Sequence, residues 1–229
     1  WICRRINRFI DFLRRSGIRV VKIKINKIER KILKIIYINN LQGKKSVSNI
    51  QRYLDIEKKE LDRNIAKMKT MNLIKQVKKN YILTDKGRKN IIIVFTGGVY
   101  DIIHPGHIHT LKKSKEEGDV LIVSIARDDR VKKIKGRKPI NNENRRSILV
   151  SAIRYVDYTL IGNKGDIFRI VKKIKPDVIT IGYDQKHQLS KLRELVKSNN
   201  LKIKIKKLDS PIPHIKSSHL RKEYKSKSN

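Results

Sequence analysis

The hydrophobic rhythm of the chain changes near residue 91. Before it, apolar residues recur at helical spacing. Ile28, Ile32, Ile35 and Ile36 form one stripe, which predicts a helix running to about residue 40. A loop follows at Gly43. Ser46 reads as the N-cap of a second helix through Leu54, with Val47, Ile50 and Leu54 inward. Asp55 reads as the cap of a third over 56–71, with Leu61, Ile65 and Met68 on one stripe. Two short strands over 73–77 and 81–84, turned at 78–80, complete this unit. After residue 91 the apolar runs are uninterrupted: 91–96, 120–126, 158–161, 178–181 and a weaker one at 203–208. Helical stretches lie between them at about 106–117, 141–154, 165–174 and 188–199.

Continuous apolar strands alternating with helices imply a parallel sheet covered on both faces. The expected fold class is therefore α/β, a Rossmann-like doubly wound parallel sheet, in which ligands bind at the carboxyl ends of the strands. The front unit, three helices and a two-stranded wing, has the order of a winged helix-turn-helix. The segment Tyr81-Ile82-Leu83-Thr84-Asp85-Lys86-Gly87 resembles the wing-to-helix exit of winged-helix regulators. The division that follows is a basic extension at 1–26, a winged helix-turn-helix at 27–90, the α/β domain at 91–224 and a basic tail at 225–229. Within 1–23, Ile6, Ile10 and Leu13 sit at helical spacing among Arg4, Arg5, Arg8, Arg14 and Arg15. That reads either as a basic amphipathic helix at a membrane or partner surface or as a short capping helix.

Charge adds a second layer. The 229 residues carry 57 Lys+Arg against 21 Asp+Glu, a net +36. Lys and Ile each number 38 and Asn 16, the bias of an AT-rich coding sequence, so part of this basicity is a solvated background. The rest attracts polyanions. It is denser in front, where residues 1–90 hold 26 Lys+Arg and 7 Asp+Glu. On the third helix, Lys58, Lys59, Arg63, Asn64 and Lys67 are placed to meet phosphates or base edges of DNA, and the same unit serves equally as an internal or homodimer contact. No apolar run approaches the ~18 residues of a membrane span. The single cysteine, Cys3, excludes an intrachain disulfide and a Cys-based zinc cluster and points to a cytoplasmic protein.

The most specific chemistry follows the first strand of the α/β domain. Gly97-Gly98-Val99-Tyr100-Asp101-Ile102-Ile103-His104-Pro105-Gly106-His107 leads from a strand directly into a helix. At a helix N-terminus, backbone N–H groups and the dipole favour an anion. Gly106 admits a phosphate close to the backbone, and imidazoles at i and i+3 point the same way to donate to its oxygens. The strand–turn–helix setting favours phosphate over a metal pair, because no cysteine and no nearby third ligand accompanies the histidines.

The stretch resembles the HxGH signature of the cytidylyltransferase-like nucleotidyltransferase superfamily, and the resemblance extends over about 91–224. Within it, residues 126–140, Gly182-Tyr183-Asp184-Gln185 and Lys216-Ser217-Ser218 are most similar to archaeal-type FAD synthase. The resemblance implies transfer of AMP from ATP to FMN, with a Mg²⁺ ion carried in on the triphosphate and no dedicated protein ligands for it. It gives His104 and His107 the charge on the transferred phosphate. Lys133 or Lys135, on a loop after the second strand, would neutralise phosphates. Val99, Tyr100, Pro105 and Gly106 would contact the nucleotide, Asp184 its ribose or base, and Ser217, Ser218 and His219 its outer phosphates and neighbouring groups. Of Arg145, Arg146 and Arg154, one would reach the acceptor phosphate and the others would form a solvated face.

Three departures leave alternatives open. Val99 stands where the family usually has Thr, and His219 where archaeal FAD synthases often have Tyr. Arg154-Tyr155-Val156-Asp157 is more similar to glycerol-3-phosphate cytidylyltransferase, although Asp184-Gln185 stands where that family tends to carry Asp-Trp. A cytidylyltransferase acting on a polyol phosphate and a nucleotide- or flavin-sensing transcription regulator are therefore the competing readings.

Overall fold

The computed structural model describes residues 25–43, 48–163, 167–183 and 186–210, together with 217 and 220. Helix α1 (Lys27–Gln42) starts at a capping box. Asn26 Oδ1 accepts from the Glu29 N–H at 2.8 Å, and Glu29 Oε2 accepts from the Asn26 N–H at 2.7 Å. Gly43, at φ 65°, closes the helix in the left-handed region. Ile32, Leu33, Ile36 and Tyr37 are its buried face. Helices α2 (Ser48–Leu54) and α3 (Lys58–Thr70) follow, and then strands β1 (Ile74–Val77) and β2 (Asn80–Leu83), which pair antiparallel. Helix α4 (Asp85–Arg88) is capped by Thr84, whose Oγ1 accepts from the Gly87 N–H at 3.0 Å. A Cβ on Gly87 would lie 1.9 Å from the Leu73 carbonyl oxygen, so only glycine lets α4 press against the lead into β1.

Two sequence expectations fail here. Asp55 does not cap the third helix: it sits at φ 50°, donates its N–H to the Gln51 carbonyl and turns the chain, and α3 begins three residues later behind Glu57 without a side-chain cap bond. Asp tolerates the left-handed region well enough to take the turn itself. Asn64 is not available to base edges. It is buried on the inner face of α3 beside Leu61 and Ile65, and its amide donates to the Glu60 carbonyl at 2.8 Å. Lys67 is committed to the buried Glu29 at 2.6 Å. Ser46 lies outside the described residues.

The second half is a five-stranded parallel sheet in the order β5-β4-β3-β6-β7. Its strands are β3 (Ile93–Gly98), β4 (Val120–Ile125), β5 (Tyr158–Ile161), β6 (Val178–Ile181) and β7 (Lys204–Lys207). The first strand starts and ends two residues later than the apolar run suggests. The ladder to β4 carries on through Gly97 and Gly98, which pair with Ser124 and Ile125. Helices α5 (Pro105–Glu116) and α7 (Glu143–Ser151) cover one face, where Leu111 and Val150 pack with Val94, Leu121 and Val123. Helices α8 (Ile167–Ile174) and α9 (Lys186–Ser198) belong to the opposite face, where Ile170, Ile174 and Leu192 pack with Phe95, Ile122 and Ile179. That second cluster is continuous with Ile32, Ile36, Met68 and Leu73 of the front helices and hairpin.

The front helices dock at the amino ends of the strands, away from the edge where ligands bind. An aspartate immediately precedes each of β4, β5 and β6: Asp119, Asp157 and Asp177. Each accepts a backbone N–H near the start of the neighbouring strand, from Ile92 (2.8 Å), Leu121 (2.7 Å) and Ile93 (2.7 Å) respectively. Each also meets a front-unit cation: Arg30 at 3.4 Å, Lys34 at 3.6 Å and Arg88 at 2.8 Å. Lys115 joins Asp157 from within the α/β half. The Tyr37 hydroxyl donates to the Ile174 carbonyl at 2.6 Å where the two halves meet.

Candidate active site

The site is built where β3 ends. A left-handed Tyr100 (φ 54°) reverses the chain, and His104 takes the N-cap position of α5 in extended backbone with Pro105 at the first turn. The His104 carbonyl accepts from the N–H groups of His107 (2.9 Å) and Ile108 (3.3 Å), which closes the first turn of α5. This places the two imidazoles together, centroids 4.0 Å apart and tilted by 32°. The buried Tyr100 ring backs His107 at 5.0 Å. A Cβ on Gly98 would come within 2.7 Å of that ring, so the glycine leaves room for the wall of the histidine pair.

Burial sets the state of His107. Its pKa falls from the usual 6.5 to about 4, first because the ring is withdrawn from water, then because His104 and Lys135 place positive charge near it, against a hydrogen bond with the Ile102 backbone. His107 is therefore a neutral imidazole at pH 7. Tyr100, raised well above its usual range by burial, stays a phenol.

The lysines lie on a helix rather than the expected loop. Helix α6 (Asp128–Lys135) has Asp128 and Asp129 in its first turn and Lys132, Lys133 and Lys135 in its last, and Gly136 closes it at φ 68°. Charges of those signs at those ends favour the helix dipole, which is why a lysine-rich stretch holds helical form. Lys135 carries its charge toward His107, whereas Lys133 is two residues earlier, about 200° around the helix. Both are exposed.

Two residues frame the site in roles that sequence reasoning misses. Asp101, buried, accepts from the N–H groups of Ile140 (2.6 Å) and Asn141 (3.2 Å) and meets Arg137 at 3.5 Å, tying segment 137–141 to the histidine turn. Its place three residues before His104 is the one signal that points to it. Arg146 belongs to no solvated face: it is fully buried and donates to the carbonyls of Val99, Ala126 (2.6 Å) and Asn141 (2.9 Å) and to Asp128 at 2.6 Å. It thus knots the ends of β3 and β4 to α6 and α7. Val99 offers its carbonyl to this arginine. Arg145 is exposed on α7, and Arg154 stacks over Tyr155 at 5.4 Å.

From the far end of the chain, Ser217 Oγ donates to the Ile102 carbonyl at 3.1 Å, which brings Ser217 to the histidine turn. Ser218, His219 and Asp184 lie outside the described residues. Pro105 and Gly106 occupy the first turn of α5.

A parallel sheet of this order with paired histidines on the helix after its first strand defines a nucleotidyltransferase. Residues 95–223 match the family described as Cytidylyltransferase-like, and the chain belongs to that family. Its relatives include the FAD synthase of Pyrococcus abyssi, 49% identical over 123 residues that cover 53% of this chain and 82% of that protein. The FAD synthase of Thermoplasma volcanium is 43% identical over 115 residues, covering 50% and 80%. A crystal structure from Thermoplasma volcanium GSS1, titled a lipopolysaccharide core biosynthesis protein, is 41% identical, covers 52% of this chain and 98% of that one, and superposes with a TM-score of 0.50. No helix among the described residues is long and apolar enough to cross a membrane.

Proposed function

We propose that this chain is an FMN adenylyltransferase, transferring AMP from ATP to FMN to give FAD and pyrophosphate. The observation that carries the reading is the 43–49% identity to several FAD synthases across the half that holds His104 and His107. The phosphate oxygen of FMN attacks the α-phosphorus of ATP in line. The bond from that phosphorus to the α–β bridging oxygen breaks, and pyrophosphate leaves with the electron pair. FMN's phosphomonoester is already ionised at neutral pH, so no general base is required. The protein's part is positioning and charge stabilisation. His104 and the neutral His107 donate to oxygens of the transferred phosphate at the α5 N-terminus. Lys135 adds positive charge from α6. Ser217 and Ser218 hold the outer phosphates, and Asp184 and His219 contact the nucleoside. A Mg²⁺ ion carried in on the triphosphate would neutralise its charge, and no protein ligand is assigned to it.

For the front unit, exposed Lys58, Lys59 and Arg63 on α3 and the exposed Tyr53 support a contact to nucleic acid, in keeping with a cytoplasmic enzyme that carries a winged-helix module. Binding that weakens steeply with salt would support it.

The deciding assay follows pyrophosphate release while crossing ATP and CTP with FMN and glycerol-3-phosphate. Release only with ATP and FMN is expected. Release with CTP and glycerol-3-phosphate would overturn the reading in favour of a polyol-phosphate cytidylyltransferase. No release from a folded protein would leave the sensing role.

A further inference from the structure

Helix α5 carries both histidines, yet its buried face is thin: Leu111 and Ser114 are its buried residues. Leu111 packs among Val94, Leu121 and Val123. Ser114, fully buried, sets a hydroxyl against the sheet instead. Its Oγ and Thr180 Oγ1 lie 2.8 Å apart, and either can be the donor. Thr180 is on β6, two residues beyond Val178 and so on the face that α5 covers. Its carbonyl accepts from Thr96 Oγ1 of β3 at 3.0 Å. Thr96 and Thr180 are buried as well. Hydroxyls from three elements thus form one buried chain amid apolar neighbours.

The chain stands where β3 and β6 part. Their paired register ends at Phe95 with Ile179, whereas β3 keeps its register with β4 through Gly98. Thr96 and Thr180 are the next residues on each strand, and there a side-chain hydroxyl continues the tie that backbone pairing gives below. An apolar contact tolerates sliding, but a hydrogen bond weakens steeply with angle and distance. Valine and alanine in these places would cover the sheet as well, with no preference among registers of α5 that differ by a fraction of an ångström. The hydroxyls therefore add register rather than cover. From Ser114 back to Pro105 is about 13 Å of helix at about 1.5 Å per residue. So short a helix moves as a rod, and a shift at Ser114 is a shift at the histidine turn.

We infer that Ser114, Thr180 and Thr96 are positioning residues for the adenylyl transfer, which set the place of α5 along the sheet and through it the place of His104 and His107; the kinetic part of this rests on the adenylyltransferase reading. Buried as they are, the three hydroxyls act only through α5.

The test is a double-mutant cycle on the full chain, read by turnover, thermal unfolding and NMR of the histidine rings. Thr180→Val keeps the shape and loses the hydroxyl. It and Ser114→Ala should each lower kcat for FAD formation about fivefold and leave the KM for ATP and for FMN within about twofold, because a small misplacement costs the transition state first. The double variant should cost no more in kcat than either single one, since the two side chains act as one bond. Its thermal midpoint should return toward that of the wild type, because neither hydroxyl is left buried alone. Thr180→Ser, which keeps the hydroxyl, should turn over as the wild type does. The ring resonances of His104 and His107, whose centroids lie 4.0 Å apart, should move in Thr180→Val and stay in Thr180→Ser. If kcat returns with stability in the double variant, the hydroxyls serve stability alone and the inference falls while FAD synthesis stands. If the wild type makes no FAD, the adenylyltransferase reading falls, and histidine resonances that stay in place in Thr180→Val overturn the positioning role on their own. Should Thr180→Val fail to fold, Ser114→Ala decides by the same kcat and resonance readouts.

Discussion

Arg88 and Asp177 join the two halves of the chain at 2.8 Å, and the same carboxylate oxygen accepts the Ile93 N–H at 2.7 Å where β3 begins. Arg88 also donates to the carbonyls of Ile91 (2.9 Å) and Lys175 (2.6 Å). One guanidinium thus ties the exit of α4 to the first strand of the sheet and to the turn before β6. The junction is at the edge remote from the histidines, so its energetics and the chemistry are separable. Asp177 is partly exposed, so most of its contribution is the bond to Ile93 rather than the ion pair. Asp177→Ala should lower unfolding free energy in urea by about 1–2 kcal/mol and leave both KM values unchanged. A shift in KM for ATP or FMN would mean that the docking edge communicates with the site.

His104→Ala and His107→Ala should each lower turnover by roughly two to three decades, the scale of losing one transition-state donor. The KM for ATP should move far less, because in this reading the two imidazoles stabilise the phosphate in transfer more than the bound ground state. Wild-type turnover in either variant would remove the histidine pair from the reaction. Single-turnover measurements separate this from slow product release.

The elements of the parallel sheet and the histidine turn are legible in the sequence because both are local signals. An uninterrupted apolar run marks a strand buried on both faces, and His-Pro-Gly-His at a helix start needs no partner to be recognised. What stays hidden depends on residues far apart in the chain. Arg146 resembles its exposed neighbour Arg145 until the carbonyls of Val99, Ala126 and Asn141 converge on it. Asn64 has the chemistry of a recognition-helix residue, yet the packing of α3 turns it inward. The docking of the front unit has a visible trace: an aspartate directly before three of the strands. Its meaning needs the sheet order, which sets which strand start each carboxylate meets.

Arg146 is the side chain on which the site's frame converges. Its partners are three carbonyls and Asp128, all at the ends of elements that surround the histidine turn. Removing the cation leaves those acceptors without their donor in a buried place. Arg146→Met should cost about 3–5 kcal/mol, and Arg146→Lys should recover only part, since an ammonium cannot reproduce the guanidinium's fork. Thermal unfolding measures the cost. An Arg146→Lys protein as stable as the wild type would mean that the charge alone matters.

His107 makes stability depend on pH in a defined window. Its folded pKa is about 4 and its ordinary value 6.5, so between these the unfolded chain binds a proton that the folded one refuses. Stability from this group is complete above 6.5 and is lost as pH falls toward 4. Urea unfolding at pH 7 and pH 5 should show a larger loss for the wild type than for His107→Gln, which has no proton to take up. Equal losses would mean that His107 titrates normally. A bound triphosphate reverses the balance, because anionic oxygens at the α5 N-terminus favour the imidazolium. ATP binding at pH 5 should therefore be accompanied by proton uptake in the wild type, measured as the buffer dependence of the calorimetric heat, and by markedly less in His107→Gln. Uptake of the same size in both would place the titrating group outside the histidine pair.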